Sequence, residues 1–232
     1  MIERASGQRC RLPIIAIDGP AGAGKTTTAK EVARRLGFMH LDTGAMYRAI
    51  ALKALRTGCN LNDPRDLAAL AETTNVEIRH AEGTQRIFLN GADVTDEIRT
   101  PEVSKAVSPV SEVRQVRNRM VTLQRKLGQG GGVVAEGRDI GTVVFPDAEL
   151  KIFLTADLKE RTRRRRLDLE RLGLNADFEA LEAQIVERDQ RDQNRDNSPL
   201  KKAADAIVLD TTNLSFEEQV QEIIRHYTAR CG

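Results

Sequence analysis

The chain has 232 residues, 36 Lys and Arg against 34 Asp and Glu for a formal charge of +2, and three cysteines. That length suits one large α/β core or a core with a small insert, and the near-balanced charge exerts no global pull toward nucleic acid or an anionic membrane surface. Cys10, Cys59 and Cys231, odd in number and without a C-x-x-C, argue against a disulfide framework or structural zinc and suit a reduced, cytoplasmic protein.

Met1–Leu12 is polar and reads as a poorly ordered leader. The apolar run behind it is short and broken by Asp18, which excludes a signal peptide or a membrane span. Pro13-Ile-Ile-Ala-Ile17 is rich in β-branched residues and bounded by Pro and Gly, the pattern of a buried parallel strand. Gly19-Pro-Ala-Gly-Ala-Gly-Lys-Thr26 follows and fits G-x-x-x-x-G-K-[ST], the phosphate-binding P-loop. Backbone N–H groups of such a loop and the helix N-terminus behind it favour anionic oxygens; Lys25 reaches the β- and γ-phosphates and the Thr26 hydroxyl ligates Mg²⁺. Ala29, Val32, Ala33 and Leu36 then recur at helical spacing up to Gly37, supplying the strand–loop–helix context that the motif needs. Lys25 stands at a helix start, the unfavourable end of the macrodipole for a cation, which again points to an anion.

Phe38–Leu41 reads as the second core strand. Asp42-Thr-Gly-Ala-Met-Tyr-Arg48 follows it, with Thr43 typed as the N-cap of the next helix. Arg48, alone in the apolar run Ala45–Leu52, has two readings: a side chain that snorkels to water, or one held for an anion. The βα alternation then breaks. Val76–His80 and Arg86–Asn90 flank Glu82-Gly83-Thr84 as an antiparallel hairpin, and Ser104–Leu127 returns to helix. This places an α+β insert at 65–110 on a core built from 13–64 and 111–232. Gly128, Gly130, Gly131 and Gly132 connect into Val133–Ala135, the third core strand; no Lys follows them, so they do not read as a second phosphate loop. Glu136 ends that strand on the side where ligands gather in open α/β sheets, either holding a Mg²⁺-bound water or standing as a plain strand-end carboxylate. His40, His80 and His226 lack ligand spacing and read as structural.

Leu150–Leu154 and Ile207–Leu209 bring the core strands to five, mostly separated by helical patterns, so a parallel sheet follows. Asp157 and Glu160 open a helix running to about Leu172. Ser215 and Glu218 form a capping box before a helix that buries Val220, Ile223, Ile224 and Tyr227. Between these, arginine dominates: Arg161 and Arg163 to Arg166, then Arg188, Arg191 and Arg195 interleaved with Asp189, Asp192 and Asp196. Their spacing puts Arg188, Asp192 and Arg195 on one helical face. One reading is a solvated, salt-bridge-laced helix pair. Beside a P-loop the other is an Arg-rich lid at about 157–198, which stabilises charge during phosphoryl transfer and excludes water. No N-K-x-D guanine reader is present, which argues against a GTPase.

Gly-Pro-Ala-Gly-Ala-Gly-Lys-Thr, Leu-Asp-Thr-Gly-Ala-Met-Tyr-Arg, the run Gly137–Ala148 and R-D-x-R-D-x-N-R at Arg188–Arg195 occur in that order, and together they resemble bacterial cytidylate kinases, P-loop nucleoside monophosphate kinases. The resemblance covers about Ile14 to the C-terminus. It implies transfer of the γ-phosphoryl group of ATP to CMP or dCMP with Mg²⁺, within pyrimidine nucleotide metabolism. It also implies a P-loop NTPase fold: a five-stranded parallel sheet flanked by helices, a small monophosphate-binding insert and a lid. Carried onto this chain, Gly19, Pro20, Ala21, Gly22, Ala23, Gly24, Lys25, Thr26 and Thr27 hold ATP. Thr43, Arg48 and Arg138 contact the acceptor phosphate. Ser108, Arg117 and Asp139 read cytosine, a carboxylate accepting from its amino group and Arg donating to O2 or N3. Arg188, Asp192 and Arg195 contact phosphate and sugar, and Lys25, Arg138, Asp139 and Arg188 form the catalytic group. Thr26-Thr27 departs from the Gly-Thr or Ser-Thr of many relatives while keeping the metal-binding hydroxyl. Small nucleotides are then the partners, with no nucleic acid or membrane, and the protein is a cytoplasmic monomer. Two rivals stand beside this reading. A P-loop kinase for UMP or a hydroxylated metabolite turns on Ser108, Arg117 and Asp139; a nucleotide-dependent switch lacks the exposed apolar segment that a partner surface needs.

Overall fold

The computed structural model describes residues 11–81, 84–171 and 173–231. Five strands, β1 (Ile14–Asp18), β2 (Met39–Asp42), β6 (Val133–Gly137), β7 (Leu150–Thr155) and β8 (Ile207–Asp210), form a parallel sheet in the order β2-β6-β1-β7-β8. Three further strands, β3 (Val76–Ala81), β4 (Thr84–Leu89) and the short β5 (Ala92–Asp93), form a separate antiparallel sheet. The helices are α1 (Lys25–Leu36), α2 (Thr43–Thr57), α3 (Pro64–Thr73), α4 (Pro101–Glu112), α5 (Arg114–Leu127), α6 (Leu158–Glu170), α7 (Phe178–Asn194) and α8 (Phe216–Cys231).

Strand residues alternate between faces, so a sheet covered on both sides is apolar at most positions. In β1, Ile15 and Ile17 pack with Val32 of α1 and Val220 and Ile223 of α8, while Ile14 and Ala16 pack on the other face with Val121 of α5, Ile140 and Val144. Ile14, Ile15 and Ile17 are at most 1% exposed, and burying each contributes about 1.5–3 kcal/mol. A second core joins α2, α3, the small sheet, α4 and α5, from Ala45 to Met120, so the small sheet's packing runs beyond both ends of the 65–110 span.

Several local expectations need correction. The helical stretch from Ser104 to Leu127 is two helices, because Val113 is extended (φ −69°, ψ 120°) and starts a new turn. The break lets Val103, Val107 and Val110 of α4 and Val116 and Met120 of α5 enter one core. Helix α6 ends at Glu170; Leu172, its expected end, lies outside the described residues, as do residues 1–10 of the leader, Cys10, and Glu82 and Gly83 of the expected turn. Thr84, placed in that turn by sequence, begins β4. Arg11, assigned to the leader, pairs with Glu149 at 3.2 Å. The Ser215–Glu218 box forms, with Ser215 N–H donating to Glu218 Oε2 (2.8 Å) and Glu218 N–H to Ser215 Oγ (3.3 Å). Cys59 and Cys231 are free thiols. Among the described residues, no helix is long and apolar enough to cross a membrane.

Candidate active site

The P-loop leaves β1 against the backbone of β7. A Cβ on Gly19 (φ +152°) would lie 2.0 Å from the Leu154 carbonyl oxygen, so only glycine fits this close approach. Ala21 is held from two directions: its N–H donates to Asp189 Oδ1 (3.1 Å) and its carbonyl accepts from Arg161 (3.1 Å), which also pairs with Asp189. Arg164 donates to Ala23 O (3.3 Å) and to Thr211 Oγ1 and O (2.9 and 2.7 Å). Arg163 is exposed and pairs with Glu160, while Arg166 pairs with Glu170 and lies over the Phe178 ring. The five-arginine run is thus divided by helical geometry: Arg161 and Arg164 grip P-loop carbonyls, and Arg165 lines a separate pocket.

Gly24 begins α1 without a side-chain cap, leaving the first-turn N–H groups of the helix for an anionic ligand. Lys25 is 7% exposed and donates to Pro20 O at 2.7 Å. Burial, then the charge of Arg138, drive its pKa down to about 7 against the opposing pull of Glu136. Thr27 Oγ1 donates back to Gly24 O (3.0 Å), bracing the loop.

Thr26 Oγ1 donates to Glu136 Oε2 at 3.0 Å, and His40 Nε2 lies 3.2 Å from Glu136 Oε1. Glu136 thus ends β6 between the P-loop hydroxyl and the His40 ring. Among the described residues, no three His, Cys, Asp or Glu side chains cluster as metal ligands. One hydroxyl and one carboxylate are nonetheless a fitting set for Mg²⁺, a hard cation that takes few protein oxygens and completes its shell with phosphates and water.

A second polar cluster is built on the end of β6. Arg138 Nε donates to Asp192 Oδ2 (2.8 Å). Asp139, 4% exposed, pairs with Arg117, 2% exposed, whose other nitrogen donates to Ser111 O (3.1 Å) at the open carbonyl end of α4. Arg195 is the C-cap residue of α7; its Nε donates to Ser198 O (2.7 Å), its NH1 lies 3.6 Å from Asp192 and its NH2 lies 4.0 Å from Asp139. Arg117, Arg138, Asp139, Asp192 and Arg195 therefore form one ion network.

Thr43 does not cap α2. Asp42 does, accepting from Ala45 N–H at 2.9 Å, while Thr43 Oγ1 donates to Glu136 O (2.7 Å). The extended backbone of Asp42 aims its carboxylate back over the first turn, and the same carboxylate holds Arg48 (2.7 Å) and Arg99 (3.2 Å). Arg48 does not simply snorkel. With Arg99, Ser104, Val107, Arg165 and Arg188 it lines a cavity of about 90 Å³. Burial, followed by repulsion from Arg138, lowers Arg188 to about 10. Ser108 lies one turn beyond Ser104 in α4, its carbonyl accepting from Ser111 Oγ. Arg99 and Ser104 escaped the sequence reading, which named Arg165 and the clamp residue Asp189 only as members of the Arg-rich lid. Arg99 ends a short turn (Glu97–Arg99) with no motif of its own, and Asp189 is indistinguishable by type from its neighbours Asp192 and Asp196.

The family model described as cytidylate kinase matches residues 15–229. This chain belongs to the cytidylate kinase family. It is 54% identical over 218 residues to a cytidylate kinase of Pelotomaculum thermopropionicum, covering 94% of this chain and 96% of that one. It is 53% identical to one of Desulfitobacterium hafniense, covering 90% of each. At the level of fold, an uncharacterized protein from Eubacterium ventriosum superposes with a TM-score of 0.51 at 16% identity, covering 94% of this chain and 99% of that one. The P-loop and the arginine–aspartate network stand at the carboxyl ends of the neighbouring strands β1 and β6.

Proposed function

We propose that this protein transfers the γ-phosphoryl group of ATP to CMP or dCMP, with ATP on Gly19–Thr27 and the acceptor on the network beyond β6. The observation that carries this reading is the charge environment of Lys25. Its field is set by Arg138, Glu136, Arg188 and Asp192, so donor-loop lysine and acceptor-side arginines converge on one place. Lys25, whose protonation Arg138 and Arg188 disfavour, and Arg188, which Arg138 disfavours in turn, are poorly matched to an empty cleft and well matched to two facing phosphate groups.

Each residue then has a task. Lys25, Arg138 and Arg188 neutralise charge on the transferring group while an oxygen of the CMP phosphate attacks Pγ and ADP leaves. Arg48 holds the acceptor phosphate, beside the wall formed by Thr43. Asp139, oriented by Arg117, accepts from the cytosine amino group, with Ser108 on the adjacent helix, and Asp192 and Arg195 serve the sugar side. Catalysis is positioning and electrostatics, with no covalent protein intermediate. Mg²⁺, held by Thr26 and through water by Glu136, supplies charge neutralisation on the ATP phosphates. The 65–110 segment is the monophosphate-binding insert on the 13–64 and 111–232 core. Residues 157–198 act as the lid, with Arg161 and Arg164 on the donor loop and Arg165 reaching the acceptor pocket. We place this enzyme in the cytoplasm as a monomer acting on free nucleotides.

An ADP-release assay across CMP, dCMP, UMP, AMP, GMP and shikimate tests the reading. CMP and dCMP should stimulate release strongly; a rate indifferent to CMP would refute it.

A further inference from the structure

Asp18 is the last residue of β1, immediately before Gly19, and is 5% exposed. Its Oδ1 accepts from Ile140 N–H at 2.8 Å and Oδ2 from Gly141 N–H at 2.7 Å. These are the first two residues of the π-helical turn Ile140–Val144, which follows directly on Arg138 and Asp139.

The residue before a helical turn usually caps the open N–H groups with its own side chain. Asp139 holds that position and makes no such cap. Its carboxylate points instead to Arg117. Gly141 packs tightly on the Lys151 stem, where an added Cβ would lie 3.2 Å from Cδ, with Asp18 Oδ2 at an ordinary contact distance of 3.5 Å. We propose that Asp18 is a positioning residue that caps the turn from a neighbouring strand, releasing Asp139 for the acceptor base and fixing Arg138 and Asp139 in register with the P-loop. The inference rests on the acceptor reading of Asp139 given above. It is supported by the cost of the arrangement. Burial raises the Asp18 carboxyl to about 6 despite the two amide bonds, and Asp139 pushes in the same direction. A carboxylate kept in so unfavourable a place is expected where function requires its two acceptor oxygens.

The decisive experiment is steady-state kinetics of Asp18→Asn with CMP, UMP and ATP as varied substrates, beside the wild type. Asparagine keeps one acceptor and turns an NH₂ group toward the second amide. The expected result is a fall of about tenfold in kcat/KM for CMP, mainly through KM, with a reduced CMP-over-UMP ratio and KM for ATP changed less than about threefold. Equal losses for all three nucleotides, or an unchanged CMP-over-UMP ratio, would overturn the inference, because a general weakening of the fold moves all three together. Should Asp18→Asn fail to fold, amide hydrogen exchange on the ligand-free wild type decides. Ile140 and Gly141 should exchange as slowly as the β1 amides, and exchange at the rate of open loops would refute the cap. A wild type that ignores CMP would remove the proposed function itself; a CMP-active wild type with an unaltered Asp18→Asn removes only this inference.

Discussion

Replacing Asp139 by alanine tests the acceptor network most sharply. Arg117 would keep a single partner, Ser111 O at 3.1 Å, while remaining 2% exposed. The nearest other carboxylate to Arg195 would be Asp192 at 3.6 Å. Removing one partner of a buried ion pair costs about 3–5 kcal/mol, because an uncompensated charge is left behind. That is a large share of the roughly 5–15 kcal/mol by which a domain is stable. At about 2–4 °C per kcal/mol for a chain of this size, the melting point should fall by about 6–20 °C. Asp139→Asn keeps an oxygen for Arg117 and should cost less, about 1–3 kcal/mol. Urea unfolding followed by circular dichroism measures both. In kinetics below the unfolding transition, each variant should lose at least about tenfold in kcat/KM for CMP, about 1.4 kcal/mol, with ATP affinity nearly unchanged. The double variant Arg117→Met/Asp139→Ala should recover part of the stability, since no charge is orphaned, and none of the activity. A wild-type midpoint for Asp139→Ala would refute the burial argument. Normal CMP kinetics in Asp139→Asn would refute the recognition role, leaving the pair as scaffold.

Three further predictions follow from the same geometry. Asp189→Ala removes the acceptor for Ala21 N–H and frees Arg161, so KM for ATP should rise about tenfold while KM for CMP holds; equal changes in both would contradict the clamp. Thr26→Val deletes the hydroxyl beside Glu136 and should raise the Mg²⁺ concentration needed for half-maximal rate severalfold; a superimposable Mg²⁺ titration would exclude Thr26 as a ligand. Asp42 is driven up by burial, but Arg48 and Arg99 outweigh that and hold its carboxyl at about 2, below its ordinary 3.8. Because the folded value lies below the unfolded one, this carboxylate stabilises the protein by about 2 kcal/mol above pH 4, and the contribution fades as pH falls toward 2. The stability difference between wild type and Asp42→Asn, from urea midpoints between pH 5 and pH 2.5, should therefore narrow with acidification; a constant difference would contradict the assignment.

The sequence by itself determined the parallel core and the donor loop. A strand buried on both faces is apolar at most positions, so Ile14–Ile17 and Leu150–Leu154, broken only by Lys151, announce themselves, and the P-loop spacing states its own chemistry within eight residues. Local caps were legible for the same reason: Ser215 and Glu218 meet within one helical turn. What only the tertiary structure decided involves partners far apart in the chain. Ala21 meets Asp189 across 168 positions and Ile140 meets Asp18 across 122, and no local pattern encodes either pairing. The division of Arg161 to Arg166 between P-loop, pocket and solvent is set by how α6 is rotated against its neighbours. The choice of Asp42 over Thr43 as cap depended on one backbone angle at the end of β2. Residue types could announce a loop suited to phosphates; only the packing of distant elements could say which of many similar arginines and aspartates gather beside it.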